Sequence, residues 1–161
     1  MATHNYKKYF ALALGIALIG LASALTSHAG ELSAPVNKDE YGVAIKGYDA
    51  VAYFENGRAE KGNPTYEYVW QDARWFFTSA GHRDRFAAAP ERYAPQYGGF
   101  CATGMAAGVL YEVDPETFRI IDGRLYLSYN HSAQVKFLAN AATNIQQANI
   151  NWDRKIKAAG Q

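Results

Sequence analysis

Hydrophobic and polar positions alternate in two stretches of the chain, and the first predicts a β-hairpin followed by a helix. Residues 65–70 and 74–78 have the aromatic-rich alternation of strands, and Gln71-Asp72 lies between them as a turn. Ser79 is placed to cap the helix that follows, and Pro90 ends it. This stretch therefore predicts one ββα unit.

A second stretch repeats this order nearer the C-terminus. Residues 117–121 and 124–129 read as strands around Asp122-Gly123, a dipeptide typical of two-residue hairpins. Asn130 or Ser132 can cap the helix after them. The similarity of the two stretches suggests an internal duplication, although hairpins followed by capped helices are also common without one.

The C-terminal part has the periodicity of one long helix. Intervals of three and four residues place on one face Val135, Leu138, Ala142, Ile145, Asn149 and Trp152, all apolar except Asn149. The opposite face, predicted to meet water, carries Gln134, Asn140, Asn144 and Gln147. The predicted fold class is α+β: a small antiparallel sheet from two hairpins, packed helices and a long C-terminal amphipathic helix.

The first 29 residues have the pattern of a secretory signal peptide. Lys7 and Lys8 precede an uncharged apolar run, and Ser27-His28-Ala29 offers small residues where signal peptidase reads the chain. The alternative is a retained membrane anchor, but a run of about 16 residues is short for a span, which needs about 20. We expect cleavage after Ala29, no membrane span after cleavage, and a periplasmic or secreted protein.

The remainder reads as a single domain. Residues 30–40 are polar and contain a proline, which indicates a flexible N-terminal arm, and residues 41–157 form the domain. The chain has a formal net charge of +1 and no basic block. Composition therefore gives no electrostatic reason to expect a nucleic-acid partner.

Four side chains outside the signal peptide could ligate a soft metal ion: His82, His131, Cys101 and Met105. Cys101 and Met105 are four residues apart, so they share a face if this glycine-rich stretch is helical. A thiol, a thioether and one histidine suit Cu(I), which tolerates few ligands. A closed zinc site needs four Cys or His, and the chain has no calcium-loop spacing. Copper is therefore the expected metal, if there is one.

The same residues have a plainer interpretation. Cys101 can pack as a small hydrophobic side chain, Met105 can fill a gap in the core, and His82 and His131 can lie at the surface near helix caps. The chain would then be a non-catalytic binding or interaction module with a structural cysteine, no metal, and a protein or small-ligand partner. A Cys–His catalytic pair is the least favoured reading, and no catalytic residue is assigned.

A family resemblance rests on five segments of the chain, which are Gly47-Tyr-Asp-Ala-Val-Ala-Tyr-Phe54, Trp75-Phe-Phe-Thr-Ser79, the stretch from Phe86 through Pro90-Glu-Arg-Tyr-Ala-Pro-Gln-Tyr-Gly-Gly-Phe-Cys-Ala102, Asp122-Gly-Arg-Leu-Tyr-Leu-Ser-Tyr129 and Ala148-Asn-Ile-Asn-Trp152. Together they resemble the exported YHS domain-containing proteins of bacteria, over residues 40–153.

The resemblance implies a role in metal handling. Cysteine-rich YHS domains occur in copper- and heavy-metal-handling proteins, where they are thought to bind metal. Their pattern of cysteines falls here on Ala52, Thr78 and His82. Of that set, only His82 could still ligate a metal, and Cys101 belongs to the motif of the exported proteins instead.

Overall fold

A computed structural model describes residues 35–159, so the predicted signal peptide and the start of the predicted arm lie outside the described residues. The elements in chain order are α1 (Ala52–Glu55), β1 (Asn63–Trp70), β2 (Ala73–Phe77), α2 (Ala80–Ala88), α3 (Pro90–Tyr93), α4 (Ala102–Ala106), β3 (Asp114–Ile121), β4 (Arg124–Ser128), α5 (His131–Ala139) and α6 (Ala141–Ala159). The α+β class is confirmed. Within residues 35–159, no helix is both long and apolar enough to cross a membrane.

The two predicted hairpins form, but they do not join into one sheet. β1 pairs only with β2, and β3 only with β4, so each hairpin is a separate two-stranded antiparallel sheet. Gln71 and Asp72 have φ of 50° and 54°, and Asp122 and Gly123 have φ of 50° and 71°. Two successive left-handed residues make the type I′ turn that matches the twist of the strands.

The hairpins share one irregular register. In the first, Asn63 pairs with Phe77 and the next pair is Glu67 with Phe76. In the second, Asp114 pairs with Ser128 and the next pair is Phe118 with Leu127. Both bulges therefore lie at the same place in the hairpin. We call residues 45–88 the first unit and residues 97–139 the second unit; a displacement of 51 residues superimposes β1 on β3, β2 on β4 and α2 on α5.

Each unit ends in a helix capped as the sequence predicts. The Ser79 side chain accepts a hydrogen bond from the backbone N–H of His82 at 3.2 Å. The Asn130 side chain accepts one from the N–H of Ala133 at 2.9 Å. These caps satisfy N–H groups that have no partner inside the helix.

The predicted long C-terminal helix is present as α6, but it does not include residues 131–139, because the chain breaks at Asn140 and those residues form α5. Asn140 has φ of −142° and ψ of 57°, outside the helical region. Val135 is 53% exposed, while Gln134 is buried and donates from Nε2 to the carbonyl of Phe118 at 2.8 Å. On α6, Ala148 is the buried residue. Part of the predicted face still meets the core, because Leu138, Ile145 and Trp152 pack against one buried cluster.

Two hydrophobic clusters form the core. The larger contains Trp75, Phe77 and Phe86 from the first unit, and the smaller contains Tyr126 and Phe137 from the second. Within each cluster the aromatic rings pack against one another. In the larger cluster, for example, the ring centroids of Trp75 and Phe86 are 5.0 Å apart.

The described part of the predicted flexible arm packs against this core. Val36 and Asn37 are buried. The N–H of Asn37 donates to the carbonyl of Gly98 at 2.8 Å, and the N–H of Ile45 donates to the carbonyl of Asn37 at 2.9 Å. Residues 36–37 therefore bridge the two units, unlike the loose segment expected from their polar sequence.

Candidate functional site

Cys101 follows three successive residues with left-handed backbone. Tyr97, Gly98 and Gly99 have φ of 57°, 61° and 85°. The glycines are required by space as well as by conformation, because a Cβ on Gly98 would lie 2.0 Å from the carbonyl oxygen of Pro35. The turn directs Cys101 into the core, where it is 1% exposed.

Backbone hydrogen bonds hold Cys101 on both sides. Its N–H donates to the carbonyl of Tyr111 at 3.0 Å. Its Sγ accepts a hydrogen bond from the N–H of Tyr129, just beyond β4, at 3.3 Å. The sulfur therefore connects the start of α4 to the end of the second hairpin.

The first unit has an aspartate where the second unit has Cys101. Ile45, Lys46 and Gly47 have φ of 41°, 55° and 74°, the same left-handed run, and Asp49 follows at the same spacing. Its N–H donates to the carbonyl of Glu60 at 2.8 Å. Asp49 and Cys101 therefore occupy corresponding positions. The backbone N–H of each donates to a carbonyl just before the first strand of its hairpin, that of Glu60 or of Tyr111.

The Asp49 carboxylate is fully buried and accepts five hydrogen bonds. Oδ1 accepts from the N–H groups of Val51 at 2.8 Å and Ala52 at 3.2 Å. Oδ2 accepts from the N–H of Thr78 at 2.8 Å, from Thr78 Oγ1 at 2.8 Å and from His82 Nδ1 at 2.7 Å. These donors satisfy the carboxylate completely, which is what allows a charge to be buried. We call Asp49, Thr78 and His82 the polar cluster.

Asp49 and Cys101 accept hydrogen bonds from backbone N–H groups at equivalent positions of the two units. Thr78 and Tyr129 each follow the second strand of their hairpin, and the N–H of each donates to the side chain of Asp49 or Cys101. The third helical residue differs: it is His82 in α2 and Ala133 in α5. The imidazole that completes the polar cluster therefore has no counterpart beside Cys101.

A cleft of about 540 Å³ opens beside Cys101. Small residues and polar or aromatic side chains line it: Cys101, Thr103, Gly104, Ala107, Tyr111, Tyr129, Asn130, Ser132, Ala133 and Lys136. Tyr111 and Tyr129 are 55% and 57% exposed. Gly104 lets Tyr111 approach α4, because a Cβ there would lie 2.7 Å from the Tyr111 ring. We call this space the Cys101 cleft.

Of the four predicted metal ligands, only Cys101 lines this cleft. Met105 is fully buried in the smaller hydrophobic cluster. His82 binds Asp49 through Nδ1, and His131 is exposed at the first residue of α5. In the part of the chain that the structure describes, no three His, Cys, Asp or Glu side chains are grouped as a metal ion would require.

Sequence reasoning missed most of the residues that build these sites. Asp49 lies in a segment that carries the family resemblance, but no pattern marks it as the partner of Ala52, Thr78 and His82, the positions where cysteines occur in the metal-binding pattern. All three contact its carboxylate. Tyr111 and Tyr129 gave no signal, because periodicity assigns aromatic residues to the core. Comparisons of the chain with models of protein families, with curated proteins and with solved structures find no match in any of the three.

Proposed function

We propose that the protein is an exported, non-catalytic binding module of the YHS type, in which Cys101 is structural and the adjacent cleft takes a small ligand. The observation that carries this proposal is the correspondence between Cys101 and Asp49. Each side chain accepts the backbone N–H that follows the second strand of its unit, at 3.3 Å for Cys101 and 2.8 Å for Asp49. The sulfur thus has the connecting role of the carboxylate.

A structural role agrees with the surroundings of Cys101. The thiol is buried, and its packing neighbours are in the larger hydrophobic cluster. A nucleophilic thiol needs a base within hydrogen-bond reach and access for substrate. The residues that line the cleft include no histidine and no carboxylate. This environment favours binding without covalent chemistry.

The shape of the cleft indicates what kind of ligand it takes. In the first unit the His82 ring reaches the acceptor atom, whereas in the second unit the corresponding Ala133 leaves that position open. Exposed rings of Tyr111 and Tyr129 flank the opening. A planar molecule would stack on these rings and occupy the space beside Ala133.

The polar cluster supports the resemblance to the YHS family. Ala52, Thr78 and His82, which stand where cysteines occur in the metal-binding pattern, all contact Asp49. Positions that are distant in sequence thus converge on one place, as positions that shared a metal would. Here a carboxylate and its donors take that place. Export rests on the signal-peptide pattern of the first 29 residues and is part of the same proposal.

Binding of copper stays a prediction. Cys101 and Met105 are one helical turn apart, since the N–H of Met105 donates to the carbonyl of Cys101 at 2.9 Å. Their side chains nevertheless belong to different core clusters. A copper site would need Met105 to turn out of its packing and a histidine to be recruited to the sulfur.

Native mass spectrometry tests both ideas on the full protein purified from its own host with no metal added. We expect either the bare chain or a small organic molecule bound to it. One Cu(I) per chain in the wild type, lost from Cys101→Ser and reduced in Met105→Leu, would refute the proposal.

A substitution of Ala133 tests the cleft directly. Planar heteroaromatic fragments, starting with imidazole, are screened by ligand-observed NMR. Ala133→His should fill the open position and abolish binding of any hit, while Ala139→His, exposed on the same helix, should leave it unchanged. Hits that bind equally to both variants, or no hit at all, would count against a ligand in this cleft.

A further inference from the structure

All three tryptophans of the chain line a second cleft, of about 500 Å³. It lies between the turn of the first hairpin, the segment 94–98 and the C-terminal half of α6. Its lining shares no residue with that of the Cys101 cleft. We call it the tryptophan cleft. Trp75 belongs to the larger hydrophobic cluster, whereas Trp70 and Trp152 pack at the edges of the two clusters and stay partly exposed.

The aromatic walls are held from both sides. Trp70 ends β1 and lies beside Trp75, with ring centroids 5.9 Å apart, and Trp75 Nε1 donates to the carbonyl of Trp70 at 3.1 Å. On the other side Trp152 packs against Tyr97, with centroids 6.1 Å apart. Trp70 and Trp152 are only partly buried, so both keep ring surface open to the cleft. The rings therefore form prearranged walls.

The Tyr97 ring is also fixed by its hydroxyl group. It donates to Asn149 Oδ1 at 3.0 Å, which ties the floor of the cleft to α6. Trp152 lies close over Gly98, because a Cβ on Gly98 would come 3.1 Å from Cη2 of the tryptophan. A glycine at position 98 thus allows Trp152 to pack over this turn, where it lines the cleft.

The charges around the opening favour a cation. Glu91 and Asp153 both line the cleft and are exposed, and neither forms a salt bridge within residues 35–159. The cationic lining residue is Arg124, whose Nη1 donates to Gln96 Oε1 at 3.4 Å. Two carboxylates against one guanidinium give the opening a net negative charge.

We infer that the tryptophan cleft binds a small organic cation, with a methylated ammonium group held between the rings of Trp70 and Trp152. The negative faces of indole rings attract cations, and they suit methylated ammonium groups because these are bulky and weakly hydrated. A metal ion would find few oxygen ligands inside, since the carboxylates lie at the exposed rim. Glu91 and Asp153 supply the longer-range attraction that selects a positive charge.

Intrinsic fluorescence gives a direct assay, because every tryptophan of the protein reports on this cleft. Choline is the probe, and 3,3-dimethylbutan-1-ol, which has the same shape without the charge, is the matched ligand control. We expect choline to change the emission in a saturable way and the neutral alcohol to bind at least about tenfold more weakly. Equal binding of the two, or no saturable response to choline at millimolar concentration, would overturn the inference.

Two sets of variants separate binding from folding. The double variant Glu91→Gln with Asp153→Asn changes only exposed groups, so it should fold normally and bind choline about five- to tenfold more weakly at low salt. Glu55→Gln, an exposed carboxylate outside the cleft, is its control. Trp152→Leu should weaken choline binding by about tenfold or more, as measured by calorimetry together with a thermal-unfolding check. Unchanged affinity in the double variant would refute the role of the carboxylates, and with it the selection of a cation.

Discussion

Replacing Asp49 with asparagine should destabilise the protein far more than the same change at an exposed aspartate. The carboxylate is 0% exposed and accepts five hydrogen bonds. Asparagine has nearly the same shape, so no cavity forms and the packing is kept. What changes is that one oxygen becomes an NH₂ group, which donates instead of accepting.

Either orientation of the new amide meets a backbone donor. If the NH₂ group lies on the Oδ1 side, it faces the N–H groups of Val51 and Ala52; on the Oδ2 side it faces the N–H of Thr78. The Thr78 hydroxyl can rotate to accept, but a backbone N–H cannot. Leaving one buried donor unsatisfied costs about 1–3 kcal/mol, and the remaining bonds lose their charge assistance. We expect the free energy of unfolding to fall by about 2–4 kcal/mol, out of about 5–15 kcal/mol for a typical domain.

Urea unfolding followed by circular dichroism measures this difference. Asp72→Asn is the matched control, because Asp72 also makes a close ion pair, with Lys38 Nζ at 2.6 Å, but its side chain is 90% exposed. The control should unfold at the wild-type midpoint, since exposed pairs contribute little. A midpoint for Asp49→Asn equal to that of Asp72→Asn would show that the polar cluster does not hold the first unit together.

Three further predictions concern the core and the turns. Cys101 should react with a thiol reagent far more slowly in the native than in the urea-unfolded protein, and equal rates would contradict its burial. Burial raises the pKa of the Tyr53 hydroxyl far above its ordinary value. Its neutral form therefore stabilises the fold fully below the unfolded-state pKa of about 10, and the free energy of unfolding falls by about 1.4 kcal/mol per pH unit above that pKa. Urea midpoints at rising alkaline pH should fall less steeply for Tyr53→Phe than for the wild type, and parallel slopes would refute this. Gly98→Ala should lower thermal stability more than Gly57→Ala, since both have positive φ but only the former places a Cβ against the Pro35 carbonyl; equal losses would mean that this close contact relaxes freely.

The sequence predicted the hairpins and their helices well, because the relevant signals are local. Asp122-Gly123 adopts the type I′ conformation that its chemistry favours, and Ser79 caps α2 as expected. The strand bounds differ from the prediction: β1 and β3 begin earlier, at Asn63 and Asp114, β2 is Ala73–Phe77 instead of 74–78, and β4 ends at Ser128 instead of Tyr129.

The candidate sites were hard to predict because their partners are distant in sequence. Asp49 meets Thr78 and His82 across 29 and 33 residues, and no local pattern encodes that meeting. The break at Asn140 was missed for another reason. Asparagine disfavours a helix interior only weakly, and the apolar periodicity of the sequence continues across the break, so neither signal is strong enough to predict it.

The bridge made by Asn37 has a consequence for the order in which the protein folds. Hydrogen bonds within each hairpin join residues near in sequence and can form quickly. Asn37 Nδ2, in contrast, donates to the carbonyl of Gly99 at 3.1 Å, across 62 residues. The Tyr53 hydroxyl donates to the carbonyl of Pro115 across the same interval. The first unit therefore reaches its final state only once Gly98 and Gly99 are available, so docking of the two units, rather than formation of either hairpin, should set the folding rate.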